Sequence, residues 1–234
     1  MKILVTGSEG TIGSRLCKRL EKDHEIFKID RKLGSDIMST NLVFPDVDIV
    51  FHLAAHIDIN DSILDPGYDA RSNILPTISI AERYKDKKVI YTASAASLDI
   101  KSPYGLSKKT GAEYIKLLCK NYVICTISNL FGAGKGVTEK FKHGEVVVNG
   151  TGTQTRDFVH IDDIIEALIL AINWQGEFLL GSEESYQIID LAKATGKPIK
   201  YNKLPEGEIV NSIMINDTPN WKPKINVLDY LKNV

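Results

Sequence analysis

The chain opens on a strand that runs straight into three glycines, and this junction narrows the folds open to it. Lys2-Ile-Leu-Val-Thr6 is a short apolar, β-branched run of the kind that forms a buried parallel strand. Gly7, Gly10 and Gly13 follow at Gly-x-x-Gly-x-x-Gly spacing, and Ile12 to Leu20 continues with helical periodicity. A strand, a glycine turn and a helix in that order let backbone come close to a phosphate. The helix N-terminus, with Thr11 and Ile12, adds free N–H donors and a favourable dipole. A second strand, Glu25-Ile-Phe-Lys-Ile29, ends in Asp30, where a carboxylate can accept from an adenosine ribose and repels a 2′-phosphate. With Glu9 in the turn, this favours NAD over NADP despite the neighbouring Arg31.

The second feature lies about ninety residues downstream, in Tyr104-Gly-Leu-Ser-Lys108. A tyrosine and a lysine four apart share one helical face, so the ammonium can depress the phenol's pKa. In isolation, such a pair reads as a helix-start aromatic after Pro103 and a solvated lysine. Behind a dinucleotide turn it reads as a proton-transferring tyrosine at the nicotinamide end.

Strands and helices alternate through most of the length. Asp48 to Leu53, Lys88 to Thr92 and Tyr122 to Ile127 read as further buried strands; Ile74 to Tyr84 and Tyr104 to Cys119 read as helices between them. Right-handed crossovers then give an α/β, doubly wound parallel sheet with ligands at the carboxyl ends of its strands. From about Ala133 the rhythm loosens, glycines cluster, and Pro198, Pro205, Pro219 and Pro223 punctuate the tail. The expected division is a dinucleotide-binding domain over 1–132 and 154–182, with a small, reduced substrate-binding lobe over 133–153 and 183–234.

Composition closes off other classes. The net charge of −1 over 234 residues, with acids and bases interspersed, gives no electrostatic case for nucleic acid or an anionic membrane. Cys17, Cys119 and Cys125 have no metal-ligand spacing and cannot all pair, which fits buried thiols in a reducing cytoplasm. The first residues already read as a core strand rather than a signal peptide, and no apolar run approaches a membrane span. His52 and His56, at a buried strand end, read as satisfied core groups. Asp162 and Asp163 precede the apolar run Ile164 to Ile172 and read as the charged first turn of a helix rather than metal ligands.

Taken together, the motifs resemble the extended short-chain dehydrogenase/reductase family, the nucleotide-sugar epimerases and dehydratases, of which UDP-glucose 4-epimerase is a member. The segments carrying the likeness are the glycine turn, Ser35-Asp36-Ile37, His52-Leu53-Ala54-Ala55, Asn73, Thr92-Ala-Ser94, Tyr104-x-x-x-Lys108 and Ser128-Asn129. Gly150-Thr-Gly-Thr-Gln-Thr-Arg156-Asp157-Phe-Val-His-Ile-Asp162-Asp163 and Asn220-Trp221-Lys-Pro223 extend it towards the end of the chain. The resemblance implies a Rossmann-type domain binding NAD. Tyr104 would be the acid/base, Ser94 would orient the reacting oxygen, and Lys108 would stabilise the phenolate and hold the nicotinamide ribose. Asp36 and Ile37 would hold the adenine, and Leu53, Ala54 and Ala55 would let backbone approach the cofactor. Asn73 would be a structural or cofactor-side contact, while Asn129 and Arg156 would touch the substrate. A homodimer is implied through the helices at about Pro66 to Tyr84 and Tyr104 to Asn121.

Departures from the family pattern bear on the reaction. Dehydratases place an acidic pair, and decarboxylating members a glutamate, directly after the serine; here stand Ala95-Ala96-Ser97, with no acid to drive water loss. Only nine residues separate Ser94 from Tyr104, the stretch Gly134 to Glu145 is abbreviated, and Leu204-Pro-Glu-Gly-Glu208 stands where a second phosphate-binding arginine is expected. The leading expectation is an NAD-dependent nucleotide-sugar epimerase acting at C4 through a transient keto sugar. A one-way reductase or dehydrogenase of a sugar or smaller carbonyl compound, and a non-catalytic NAD(H)-binding protein, stay open beside it.

Overall fold

The computed structural model describes residues 1–204 and 212–232. Its first half runs β1 (Lys2–Thr6), α1 (Thr11–Leu20), β2 (Glu25–Ile29), β3 (Ile49–His52), α2 (Ile59–Leu64), α3 (Pro66–Arg83), β4 (Lys88–Ser94), α4 (Pro103–Leu118) and β5 (Asn121–Ile127). Then come β6 (Asn129–Phe131), α5 (Val137–His143), β7 (Val146–Asn149), β8 (Thr155–His160), α6 (Ile161–Leu170) and β9 (Gly176–Leu180). The tail adds β10 (Ser185–Gln187), α7 (Ile188–Ala194), β11 (Ile199–Asn202) and α8 (Val227–Lys232). The chain divides into two compact units, one of residues 1–126 with 168–178, the other of 127–167 with 179–234. Residues 127–132, 154–167 and 179–182, expected in the dinucleotide-binding domain, fall in the second unit, because β6 and β8 pair with each other and with β10 in a sheet of their own.

The first unit is built on a six-stranded sheet of order β2-β1-β3-β4-β5-β9. β1 pairs in parallel with β2 and β3, and β3 with β4. Its inner strands are the apolar ones: β3 is buried at every residue, and Leu4, Val50, Val89 and Ile124 share a core with Ile80 of α3 and Ile115 of α4. The strand order reverses at β1, which opens a crevice between the carboxyl ends of β1 and β3. α3 starts at Pro66, as the family resemblance implied and two turns before the Ile74 that periodicity gave. Asp65 caps it by accepting from Tyr68 N, and Pro66 takes the first helical position. On β4, Lys88 Nζ donates to the carbonyls of Ile172 and Trp174 at 2.7 and 2.6 Å, closing the turn that follows α6.

The second unit holds a three-stranded sheet of order β10-β8-β6 and the parallel pair β11-β7. Phe131, Phe141, Val148, Phe158, Leu191 and Leu231 form its core with α5, α7 and α8. Asp163, expected to charge the first turn of α6, is buried and does more than that. Its Oδ2 accepts from Lys224 N and Ile225 N, both at 3.0 Å, and its carbonyl accepts from Trp221 Nε1 at 2.9 Å.

His52, the last residue of β3, is wholly buried and satisfied, as the sequence suggested. Thr77 Oγ1 donates to Asn73 O, so it accepts from His52 Nε2–H at 3.0 Å, which leaves Nδ1 to accept from Thr6 Oγ1 at 2.7 Å. Burial, helped by the charge of Lys108, pushes this imidazole from 6.5 down to about 3. As pH falls below 6.5 the unfolded chain takes up a proton that the folded one refuses until about 3, so stability drops through that window. The slope this one group contributes is up to ~1.4 kcal/mol per pH unit. Thermal melts of His52→Gln between about pH 7 and about pH 4.5 should therefore show a flatter fall in Tm than the unsubstituted protein. Equal slopes would place the acid sensitivity elsewhere.

Candidate active site

At the carboxyl end of β1, Gly7 takes a left-handed φ of +69°, and a Cβ there would stand 2.8 Å from Ala54 N and Cα. Only glycine lets β1 turn so close to the chain leaving β3. Gly10 precedes α1 without a side-chain cap, so the first N–H groups of a ten-residue helix point out unoccupied by side chains. The crevice is a cavity of about 230 Å³ lined by Gly7, Gly10, Asp30, Arg31, Asp36, Ile37 and Leu53 to His56. Thr11, Ile12 and Gly13 form the adjoining first turn of α1. A glycine cradle, uncapped helical N–H groups and an acid at the end of β2 are the donor and acceptor set that a dinucleotide requires.

Two of these side chains also hold the crevice in shape. Asp30 Oδ1 accepts from Lys32 N and its Oδ2 from Glu9 N, each at 2.9 Å, so one carboxylate fixes both the turn after β2 and the glycine turn. Arg31 Nε lies 3.3 Å from Asp36 Oδ2 in an exposed ion pair. Asn73 stands behind the lining. Its Oδ1 accepts from His56 N at 2.8 Å and its Nδ2 donates to His56 O at 3.0 Å, clamping the loop after β3 to α3. His56 itself faces Asp61 at 3.4 Å and the edge of Tyr68.

The catalytic candidates meet where β4 gives way to α4. Ser94 ends β4, and its Oγ accepts from Ala96 N at 3.3 Å, starting the 3-10 turn Ala95–Ser97. Ser102 caps α4 through Gly105 N, with Pro103 in the first position. A Cβ on Gly105 would lie 2.3 Å from Ala96 O, so this glycine, which sequence reasoning passed over, is what lets α4 press against the turn after Ser94. Tyr104 and Lys108 are both buried, and the Ser94 side chain is near enough to the Tyr104 phenol to act on its proton affinity.

The electrostatics depart from the simple expectation that Lys108 depresses the phenol. Burial raises Tyr104, the Ser94 side chain lowers it, and the charge of Asp69 raises it again, leaving the phenol above its ordinary value. Lys108 is itself pulled down to about 7 by burial, against the opposing pull of Asp69, and its Nζ stands 4.2 Å from the centre of the Tyr91 ring. This chain's own groups therefore keep the phenol protonated and leave Lys108 poised between its two forms, and a phenolate needs further positive charge beside it.

In the second unit, Asn129 and Arg156 line one cavity of about 360 Å³ with Gln154 and Phe158. Asn129 Nδ2 donates to Asp157 O at 3.0 Å, and Arg156 Nη1 donates to Thr155 O at 2.7 Å. The fully buried Asp157 accepts from Ser182 N and Met214 N, which anchors two further segments beside that pair. Of Leu204 to Glu208, the stretch opposite the expected second arginine, all but Leu204 lies outside the described residues. Among the described residues no three His, Cys, Asp or Glu side chains group to hold a metal, and no helix is long and apolar enough to cross a membrane.

Comparison with known proteins agrees with this geometry. The sequence profile of the NAD dependent epimerase/dehydratase family matches residues 3–181. A Methanocaldococcus jannaschii protein provisionally named a UDP-glucose 4-epimerase is 31% identical over 295 aligned positions, covering 99% of this chain and 96% of the relative. The UDP-glucose 4-epimerase of Streptococcus mutans is 26% identical over 312 positions, covering 98% and 94%. Both alignments are longer than the 234-residue chain, so the difference is taken up by gaps in it. Among solved structures, the UDP-glucuronic acid 4-epimerase of Bacillus cereus, in complex with UDP-glucuronic acid and NAD, superposes with a TM-score of 0.86 at 26% identity, covering 99% of this chain and 97% of that one.

Gly7→Ala is the direct test of the cradle. The added methyl meets Ala54 backbone in a backbone conformation hostile to alanine, so a loss of about 1–3 kcal/mol in thermal or urea unfolding is expected. NAD affinity by calorimetry should fall more than ~10-fold. Unchanged affinity would remove Gly7 from the binding surface.

Proposed function

The chain belongs to the NAD-dependent epimerase/dehydratase family and is an NAD-dependent enzyme, and from that premise we propose that it epimerises a nucleotide-sugar at C4. The observation that carries the reading is the buried Tyr104–Lys108 pair beside the half-buried Ser94, with Ala95-Ala96-Ser97 in place of acids after the serine. That turn has no carboxylate to remove a second proton, which disfavours elimination of water. Names of similar proteins support the choice: the relatives compared above are 4-epimerases, two acting on UDP-glucose by name and one bound to UDP-glucuronic acid.

Bound NAD supplies a reversible hydride acceptor for the reacting carbon and positive charge beside the phenol. Tyr104 takes the proton of the C4 hydroxyl and later returns it, so the proton count closes over a turnover. Ser94 donates to the same oxygen, hydroxyl or keto, and keeps it facing Tyr104. Lys108 as ammonium favours the phenolate and offers donors to the nicotinamide ribose. In the glycine crevice, Asp30 receives the adenosine ribose through lone pairs left over from Glu9 and Lys32, while Asp36 and Ile37 hold the adenine. Asn129 and the fork of Arg156 bind the sugar nucleotide.

We further propose a cytoplasmic homodimer joined through α3 and α4. In support, Tyr68 and Leu75 on α3 and Leu106 and Leu117 on α4 are exposed at 40, 45, 52 and 77%. The three cysteines are free and buried.

The deciding experiment incubates the purified protein, without added cofactor, with UDP-, dTDP- and GDP-hexoses. A C4 epimer should form, and Tyr104→Phe should lower kcat by about 10²–10⁴ while still binding NAD. Net oxidised or reduced product that needs added cofactor would turn the reading to a one-way oxidoreductase. For the assembly, Leu106→Glu should halve the mass measured by light scattering; an unsubstituted protein that is already a monomer overturns the dimer.

A further inference from the structure

Asp69 has no place in the chemistry described so far, yet its carboxylate sits in the same core. It lies on α3 one turn before Asn73, with 1% of its surface exposed. Oδ1 accepts from Asn73 Nδ2 at 2.9 Å, and Oδ2 has no hydrogen-bond partner among the described residues. A carboxylate oxygen withdrawn from water and left unpaired costs the fold about 1–3 kcal/mol or more. A charge kept on those terms needs an opposite charge to act on.

That charge is Lys108, on the helix packed against α3. The groups around it can be taken element by element. From β4, Tyr91 presents its ring face to Nζ, and burial holds its phenol far above the ordinary value. From β3, His52 is held neutral by burial. On α4 itself, Tyr104 is raised and uncharged. From α3, Asp69 raises Lys108 against its burial, and the same carboxylate also acts on Tyr104 and Tyr91. Among these only Asp69 is an acidic side chain that raises Lys108. A hydrogen-bonded path joins the same residues: Asn73 Nδ2 reaches Ser107 Oγ at 3.1 Å, and Ser107 Oγ donates to Tyr104 O at 3.0 Å. The turn of α4 bearing Tyr104 and Lys108 is thereby tied to the turn of α3 bearing Asp69.

We propose that Asp69 is a positioning residue for the Tyr104–Lys108 pair, the buried counter-charge that keeps Lys108 an ammonium at the pH where the enzyme works. This rests on the acid/base reading of Tyr104 and Lys108 given above. With Lys108 already drawn down to about 7, losing the carboxylate leaves the amine neutral under ordinary conditions. Tyr104 then has no cation of the chain's own beside it.

The test reads the lysine itself. Protein carrying carbon-13 at lysine Cε is titrated by nuclear magnetic resonance in complex with NAD and alone, with the Lys108 signal assigned by its loss in Lys108→Arg. In Asp69→Asn, which keeps an oxygen for Asn73 but not the charge, the Lys108 midpoint should fall by at least ~1 unit. Ser107→Ala cuts the hydrogen-bonded path and leaves the charge, so its midpoint should stay within ~0.3 unit of the unsubstituted protein. Should Asp69→Asn not fold, Asp69→Ser is read in the same way. An unmoved midpoint, or an equal fall in Ser107→Ala, overturns the assignment.

A second readout links this to turnover. The alkaline limb of kcat against pH should move down in Asp69→Asn by the same amount as the lysine midpoint, and an alkaline limb that stays in place overturns the positioning role. If no nucleotide-sugar is turned over by the unsubstituted protein, the functional reading fails while the lysine titration still decides the place of Asp69.

Discussion

The first unit is organised by the close passage of two backbones, β1 turning at Gly7 against the chain that leaves β3 at Ala54. No side chain intervenes, so the carboxyl ends of the two strands open as a crevice instead of closing over packed residues. Around that gap the polar groups are arranged in tiers. Thr6, His52 and Thr77 satisfy one another beneath it, Asn73 clamps the loop that forms one wall, and Asp30 pins the glycine turn that forms the other. Each contact removes a degree of freedom from backbone that a dinucleotide has to approach. The crevice is thus largely fixed in shape, and a dinucleotide bound there would meet less ordering cost.

A similar economy governs the acid/base pair. Burying a lysine and a tyrosine together, with one carboxylate behind them, holds the lysine near 7 and the phenol raised. Groups so poised change protonation in response to one more nearby charge, which in this family the oxidised cofactor brings. On the proposed mechanism, that charge would move their protons when the cofactor is seated.

Much of this was legible in the sequence, for definite reasons. β1, buried from Ile3 to Thr6, reads as an apolar run, and it and the edge strand β2 appear in the sequence with their observed limits. The spacing of Tyr104 and Lys108 gave the pair, though not its electrostatics, because burial depth is invisible in a spacing. Periodicity alone began α3 at Ile74, whereas the family resemblance placed its start at about Pro66, where Asp65 caps it. Asp69 was hidden because an acid in the first turn of a helix ordinarily belongs to solvent and the helix dipole. In the second unit the strands β6 and β10 are three residues long, too short to show a period. There the recurrent acids explain themselves only in three dimensions, Asp157 holding Ser182 and Met214, Asp163 holding the segment after Trp221.

Lys88 carries a consequence for the life of the chain before it is complete. Its ammonium is seated on the carbonyls of Ile172 and Trp174, and β9, which begins at Gly176, supplies the outermost strand beside β5. The dinucleotide-binding unit is therefore finished by residues that leave the ribosome some fifty positions after β5. Until then β5 is an open edge and Lys88 lacks its seat, so a nascent chain arrested between the two exposes a strand edge that invites pairing with another molecule. Emergence of β9 through Leu180 is the event that seals it.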